Sequence, residues 1–221
     1  MKIKVRGVTE RSEVELLGRC GVDGAGLWHW VTGGDAELTR SAFARRASDA
    51  RACDVEPVLV TFAADPGAVD ALARACVIKY VQLHAYQLPK CVAALRRPGL
   101  HLVKVLHVRG GRCVEERLID AYERAGVDSF LLDVTSGDGS VGSTGEALPP
   151  AVAARLADRL TRPFYIAGGI TGAAREAYGG LLSHPGFRGI DVSTGARDRH
   201  GRVCSRRITA IDEAWRGVGV H

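Results

Sequence analysis

Short apolar runs rich in β-branched residues recur along the chain, and a longer, partly polar segment follows each one. The short runs are typical of buried strands, and apolar positions spaced three or four apart in the longer segments are typical of amphipathic helices. The eight predicted strands are Ile3–Arg6, Gly24–Trp28, Pro57–Phe62, Tyr80–His84, Leu102–Leu106, Phe130–Asp133, Phe164–Ala167 and Gly189–Gly195. The predicted helices cover residues 11–20, 36–52, 66–76, 88–96, 114–125, 150–160, 173–182 and 207–215.

Strands that alternate with helices pair in parallel through right-handed crossovers. Eight such units are the number that closes a (β/α)8 TIM barrel, and 221 residues suit one domain of that class. The sequence therefore predicts a single α/β barrel over residues 1–221. An open doubly wound sheet is the alternative, but the first strand is followed by Gly7-Val8-Thr9 and lacks the GxGxxG turn of that fold.

The binding residues of such a barrel lie on the loops after the strands, so the strand ends define the candidate site. Small residues follow the last two strands, where backbone N–H groups approach an anion closely. With the Gly137–Gly145 loop after the sixth strand, they predict a phosphate site. The predicted phosphate-binding residues are Gly145, Gly168, Gly169, Ser193, Thr194 and Gly195. The alternative is that these glycines simply end strands and that the loop lies idle at the surface.

Charge and composition narrow the class of partner. The net charge is +5, but the basic residues are scattered and do not form the clustered stripe that nucleic-acid binding requires. No apolar run is long enough to span a bilayer, so no membrane association is expected. The six cysteines lack CxxC spacing, which argues against a metal site or a disulfide framework and favours a reducing cytoplasm. No cofactor and no metal are predicted, and a phosphorylated small molecule is the expected partner.

Five motifs at the strand ends, taken in order along nearly the whole chain, carry a family resemblance. They are Lys4–Thr9 (K-V-R-G-V-T), Val81–Ala85 (V-Q-L-H-A), Leu131–Asp133 with Gly142–Gly145 (L-L-D and G-S-T-G), Ala167–Ile170 (A-G-G-I) and Asp191–Arg197 (D-V-S-T-G-A-R). Together they resemble the phosphoribosylanthranilate isomerase family of tryptophan biosynthesis, in which the corresponding motifs are K-I-C-G-I-T, V-Q-L-H-G, L-L-D with G-G-T-G, A-G-G-L and D-V-S-S-G-V-E.

The resemblance implies an Amadori rearrangement, in which an acid opens the ribose ring and a base removes the proton from C2. It assigns the acid to Asp133, but the motif cysteine that serves as base is Arg6 in this chain. The family's S-P-R segment, whose arginine helps to hold the substrate, is replaced by Trp28–Gly34. An aspartate after the G-G-T-G loop is replaced by Glu146–Pro149, and the last glutamate of the final motif is Arg197.

These departures set the roles proposed for single residues. Asp133, His84 and Arg6 are the predicted catalytic residues, with His84 a second acid–base candidate and Arg6 a group that binds a carboxylate or a second phosphate. The alternative for Arg6 is an ion pair that silences Asp133. The predicted substrate-binding residues are His29, Trp28 and Lys104, the last expected to point into the barrel. His29 and Trp28 alternatively cap the barrel, and His107 also follows the fifth strand without an assigned role.

Three functions remain open at this stage. The first is a divergent isomerase that acts on a phosphorylated ribose-type metabolite, in specialised metabolism. The second is genuine phosphoribosylanthranilate isomerisation in tryptophan biosynthesis with a substituted base. The third is a non-catalytic barrel that binds a phosphosugar. A monomer and a homodimer are both compatible with the resemblance.

Overall fold

Eight parallel strands and their connecting helices make up the computed structural model, which describes residues 1–135 and 146–217. The predicted strands are present with small shifts at their ends, and a two-residue strand, β6, was not predicted. The strands are β1 (Lys2–Arg6), β2 (Gly24–Trp28), β3 (Glu56–Thr61), β4 (Tyr80–Leu83), β5 (His101–Arg109), β6 (Arg112–Cys113), β7 (Ser129–Val134), β8 (Phe164–Ile166) and β9 (Phe187–Val192).

The helices follow the predicted segments less closely than the strands do. They are α1 (Arg11–Arg19), α2 (Arg40–Ala52), α3 (Pro66–Ala75), α4 (Pro89–Leu95), α5 (Ile119–Ala125), α6 (Pro150–Arg159), α7 (Gly179–Leu182) and α8 (Ser205–Arg216). Helix α2 begins four residues later than predicted because the Thr39 side chain accepts a hydrogen bond from the Ala42 backbone N–H and caps it. The segment predicted as a helix at 173–182 is a 3₁₀ helix, Ala173–Tyr178, followed by the single turn of α7.

The sheet closes on itself in the order expected of a TIM barrel. Each strand pairs in parallel with its neighbours from β4 through β3, β2, β1, β9, β8 and β7 to β5, and β4 pairs with β5 to complete the ring. β6 lies outside the ring and pairs antiparallel with the end of β5. The predicted (β/α)8 fold is confirmed, and the carboxyl ends of all eight ring strands meet at one rim.

Both faces of the ring strands are buried, one against the helices and one inside the barrel. On β5, Val103 and Val105 pack with Leu131 of β7 in the interior, whereas Leu102 and Leu106 belong to the large core under the helices. Because successive side chains of a strand point to opposite faces, only every second residue can reach the rim from the barrel interior. In the described part of the chain, no helix has the length and apolar character needed to cross a bilayer.

Candidate active site

An ion pair between Arg6 and Asp133 lies at the centre of the rim. Arg6 ends β1, Asp133 lies near the end of β7, and Arg6 Nη1 donates to Asp133 Oδ2 over 2.5 Å. The two side chains are 4% and 2% exposed, so the pair is almost completely shielded from water. Arg6 and Asp133 are 127 positions apart in the sequence, and their side chains are in direct contact. This contact is the ion pair given above as the alternative role of Arg6.

His84 reaches the same carboxylate from the end of β4, and its tautomer is determined by its neighbours. Lys4 Nζ, which is only a donor, bonds to Gln82 Oε1, so the Gln82 amide nitrogen faces His84 Nδ1 at 2.6 Å. Nδ1 therefore accepts, which leaves the proton on Nε2; this nitrogen lies 3.4 Å from Arg6 Nη1 and 3.5 Å from Asp133 Oδ2. Burial, with the Arg6 cation close by, holds the pKa of His84 well below its ordinary value, so the ring is neutral.

A second carboxylate supports the cations of β1. Asp191 of β9 lies 2.9 Å from Lys4 Nζ and 4.0 Å from Arg6 Nη1. Burial works against the charged form of Arg6, but the carboxylates of Asp133 and Asp191 outweigh it and raise the pKa of the guanidinium. Arg6 is therefore a permanent cation and cannot take the role of a base.

The small residues of β2 provide the space for the Arg6 side chain. A Cβ atom at Gly26 would lie 2.8 Å from the Arg6 Cβ, closer than real Cβ atoms approach. A larger residue at position 26 would displace Arg6 from Asp133. The glycine in the apolar second strand is therefore part of the site, although the sequence pattern gave no sign of this role.

The ends of β8 and β9 lie side by side, as the predicted phosphate site requires. Gly168 and Gly169 have φ values of +87° and +64°, which favour glycine. Gly195 packs so closely on the backbone after β8 that a Cβ there would lie 1.9 Å from the Ile170 carbonyl oxygen. Ser193 is half-buried and Thr194 is exposed at the start of a short 3₁₀ helix. The whole Gly137–Gly145 loop, including Gly145, lies outside the described residues.

Trp28 and His29, the two substrate-binding residues predicted at the end of β2, face opposite sides of the sheet. Trp28 faces the barrel interior, where it packs with Val58 and Val60. His29 turns the other way, since its Nδ1 lies 2.7 Å from the Leu38 carbonyl oxygen and its ring packs near Phe43 of α2. The structure thus brings Trp28 toward the site and leaves His29 on the helix side of β2.

The expectation that Lys104 points into the barrel is corrected. Its side chain lies on the helix side of β5, 5.4 Å from the ring of Tyr122 in α5, and donates to the Ala85 carbonyl oxygen over 2.7 Å. Complete burial lowers the pKa of Lys104 to about 8. The reason is the alternation of β5, because the interior positions of that strand are Val103 and Val105.

His107 and Glu115 form a pair at the rim that the sequence predictions did not assign. His107 lies in β5 directly opposite Asp133 in the register, and its ring centroid is 6.0 Å from that of His84. Glu115 follows β6, and its Oε1 lies 2.6 Å from His107 Nδ1. A histidine after the fifth strand was visible in the sequence, but its partner is placed by the β5–β6 hairpin, which the apolar pattern did not predict.

Arg197 connects the segment after β9 to the first loop. Its guanidinium donates to the carbonyl oxygens of Arg6 (3.2 Å) and Gly7 (2.5 Å), and to Glu13 Oε1 (3.1 Å). Glu13 in turn accepts from the backbone N–H of Thr9. The residue that replaces the glutamate of the final motif is therefore a clamp that holds the end of β1 in place.

The sheet is a closed parallel barrel, and small residues follow two adjacent strand ends. Buried acidic and basic side chains lie at the same rim. These features define the class as a (β/α)8 barrel with a candidate active site at its carboxyl end. The family model of N-(5'phosphoribosyl)anthranilate (PRA) isomerase matches residues 34–211. The chain therefore belongs to the phosphoribosylanthranilate isomerase family. The match begins after β2, so it does not include Arg6.

Individual relatives and solved structures agree with this assignment. N-(5'-phosphoribosyl)anthranilate isomerase 2 of Methanosarcina mazei is 27% identical over 206 residues, which cover 91% of this chain and 88% of the relative. The phosphoribosyl anthranilate isomerase structure from Thermus thermophilus has a TM-score of 0.76 at 22% identity, with 96% of each chain covered. A phosphoribosyl anthranilate isomerase in complex with reduced 1-(o-carboxyphenylamino)-1-deoxyribulose 5-phosphate has a TM-score of 0.77 at 17% identity, covering 99% of this chain and 100% of the other.

Proposed function

We propose that the protein isomerises N-(5'-phosphoribosyl)anthranilate by opening the ribose ring and moving the carbonyl function from C1 to C2. Membership of the isomerase family supports this function. Relatives that match most of the chain have the same isomerase name, which favours tryptophan biosynthesis over the specialised metabolism suggested by the altered motifs. The observation that carries the proposal is the placement of Asp133 at the same rim as the adjoining ends of β8 and β9.

The phosphate of the substrate would bind at those two strand ends. Gly168 and Gly169 have backbone conformations that few other residues adopt, and Gly195 permits the close approach of the two loops. Ser193 and Thr194 add hydroxyl groups at the end of β9. A phosphoryl group held there leaves the sugar to extend across the rim toward Asp133, which lies near the end of β7 next to β8.

Arg6 would bind the carboxylate of the anthranilate ring. A guanidinium binds a carboxylate through two parallel N–H donors, and the family's own substrate-holding arginine is absent from this chain. In the structure the guanidinium is engaged by Asp133. A substrate carboxylate that competes for Arg6 would release Asp133 to accept a proton and act as the acid of ring opening.

A specific observation favours a second candidate, a barrel that binds a phosphosugar without turnover. The Arg6–Asp133 pair is buried at 2.5 Å, and a carboxylate held in such an ion pair has no proton to donate. If the pair persists with ligand bound, the phosphate-binding half of the site functions and the acid does not.

Turnover of N-(5'-phosphoribosyl)anthranilate by the purified protein separates the two candidates. We expect the protein to form 1-(o-carboxyphenylamino)-1-deoxyribulose 5-phosphate, detected by chromatography. Asp133→Asn should lower kcat by a factor of about 100 or more, since proton transfer contributes that much. Its affinity for the reduced product analogue, measured by calorimetry, should stay similar. Analogue binding without turnover by the unaltered protein would favour the second candidate, and absence of binding would contradict both.

A further inference from the structure

The rim has an acid candidate but no obvious base once the roles of its side chains are assigned. Arg6 is a permanent cation. His84 has its Nδ1 lone pair engaged by the Gln82 amide, which leaves its proton on Nε2, close to both Arg6 and Asp133. The residue predicted to replace the motif cysteine, His84, therefore presents no lone pair to a substrate. The abstraction of the C2 proton needs a different group.

His107 occupies the position that such a group requires. On β5 it falls on the same face as the interior residues Val103 and Val105, and it lies opposite Asp133 in the parallel register. Its ring meets the ring of His84 edge-on, with the centroids 6.0 Å apart. The whole residue is 0% exposed, as closely covered as Asp133 at 1%, so both share one water-excluded environment.

Glu115 determines which nitrogen of His107 holds the proton. Its Oε1 lies 2.6 Å from His107 Nδ1, and its Oε2 accepts from the His107 backbone N–H over 2.9 Å. A carboxylate accepts only, so Nδ1 carries a proton, and the lone pair that a histidine base uses is then the one on Nε2. Nε2 is buried and has no hydrogen-bond partner among residues 1–135 and 146–217. A buried acceptor without a partner is costly, and a proton to be abstracted would satisfy it.

The surroundings keep Glu115 in its charged form. Burial would raise the pKa of Glu115, but the hydrogen bond from His107 and the Lys104 cation, 3.5 Å from Oε1, together lower it. Lys104 is thus connected to the site through Glu115, although it faces away from the interior. A carboxylate that orients a histidine in this way is the arrangement found where a histidine acts as a base.

We propose that His107, oriented by Glu115, is the base that takes the C2 proton in place of the missing cysteine. The inference rests on the isomerase function proposed above. After ring opening, C1 is a protonated imine. Nε2 accepts the C2 proton, the C2–H electron pair becomes the C1=C2 bond, and the imine π electrons return to nitrogen. The imidazolium then gives its proton to C1 while the C2 hydroxyl loses one to the conjugate base of the acid, so that the protons balance.

The test replaces His107 by asparagine. The asparagine amide would still donate to Glu115, but it has no basic nitrogen. We expect His107→Asn to lower kcat for N-(5'-phosphoribosyl)anthranilate by a factor of about 100 or more. The Kd of the reduced product analogue should change by a factor of no more than about three, which is about 0.6 kcal/mol. His101→Asn is the matched control, because His101 begins the same strand at the opposite end and bonds to Ser129.

Two further variants separate a base from a structural residue. His107→Ala should regain part of its kcat when imidazole is added, whereas a packing defect would not respond to imidazole. Glu115→Gln keeps an acceptor for Nδ1 but removes the charge, so we expect a smaller loss of kcat with an unchanged Kd for the analogue.

The outcomes distinguish this inference from the function on which it rests. Turnover in His107→Asn equal to that of the unaltered protein overturns the role of His107 and leaves the isomerase function standing. A loss of kcat accompanied by an equal loss of analogue affinity also overturns it. Analogue binding by an unaltered protein that forms no product overturns the isomerase function and the base together.

Discussion

The two halves of the rim are built on different principles. The half formed by β8 and β9 relies on the absence of side chains, with left-handed glycines and a close backbone contact at Gly195. The half formed by β1, β4, β5 and β7 relies on long charged and polar side chains that neutralise one another. The first half depends on the space that glycines leave at the strand ends, and an added side chain would block it. The second depends on which partner each group holds, so the replacement of one charged side chain leaves another without its partner.

The largest expected effect comes from breaking the central ion pair. Arg6→Met leaves the buried Asp133 carboxylate without its main partner, and we expect a loss of about 3 to 5 kcal/mol in the free energy of unfolding. Urea denaturation measures it. The double variant Arg6→Met/Asp133→Leu should lose less than Arg6→Met alone, because no charge is then left unpaired. Equal losses in the single and double variants would contradict a coupled pair.

A smaller effect is expected for Lys104, whose ammonium group lies next to Glu115 of the His107–Glu115 pair. The pKa of Lys104 is lowered to about 8, so the unfolded chain binds more protons than the folded one between pH 8 and 10.5. Stability attributable to Lys104 is therefore complete above pH 10.5 and is lost as the pH falls to 8, by about 3 kcal/mol. The difference in unfolding free energy between the unaltered protein and Lys104→Met should rise over this range. A constant difference would mean that Lys104 titrates normally.

The smallest expected effect tests the half of the rim formed by β8 and β9, which depends on the absence of side chains. The Cβ of Gly195→Ala would lie 1.9 Å from the Ile170 carbonyl oxygen, so the two loops must separate. We expect a loss of about 1 to 3 kcal/mol in stability and weaker binding of the reduced product analogue. Gly179→Ala is the control, since nothing lies within 4 Å of its added Cβ. Similar affinity in both variants would argue against phosphate binding at these strand ends.

The two halves also differed in how far they were predictable. The adjacency of the β8 and β9 ends followed from counting strands, because neighbours in chain order are neighbours in a barrel. The direct contact of Arg6 with Asp133 was foreseen as one of two roles for Arg6. The placements of His29 and Lys104 were not foreseen, and Glu115 was not considered, because its position depends on the β5–β6 hairpin.

The sequence by itself determined the order of the eight ring strands and of the segments that connect them, since periodicities of two and three to four residues are local properties. It also determined which residue types end each strand. Only the tertiary structure decided which strand face looks into the barrel. In a parallel barrel both faces are buried, so the strands are apolar throughout and their sequence does not mark the inner face. For that reason Lys104, which was expected to point into the barrel, lies on the helix side, whereas His107, three positions further along β5, falls on the interior face.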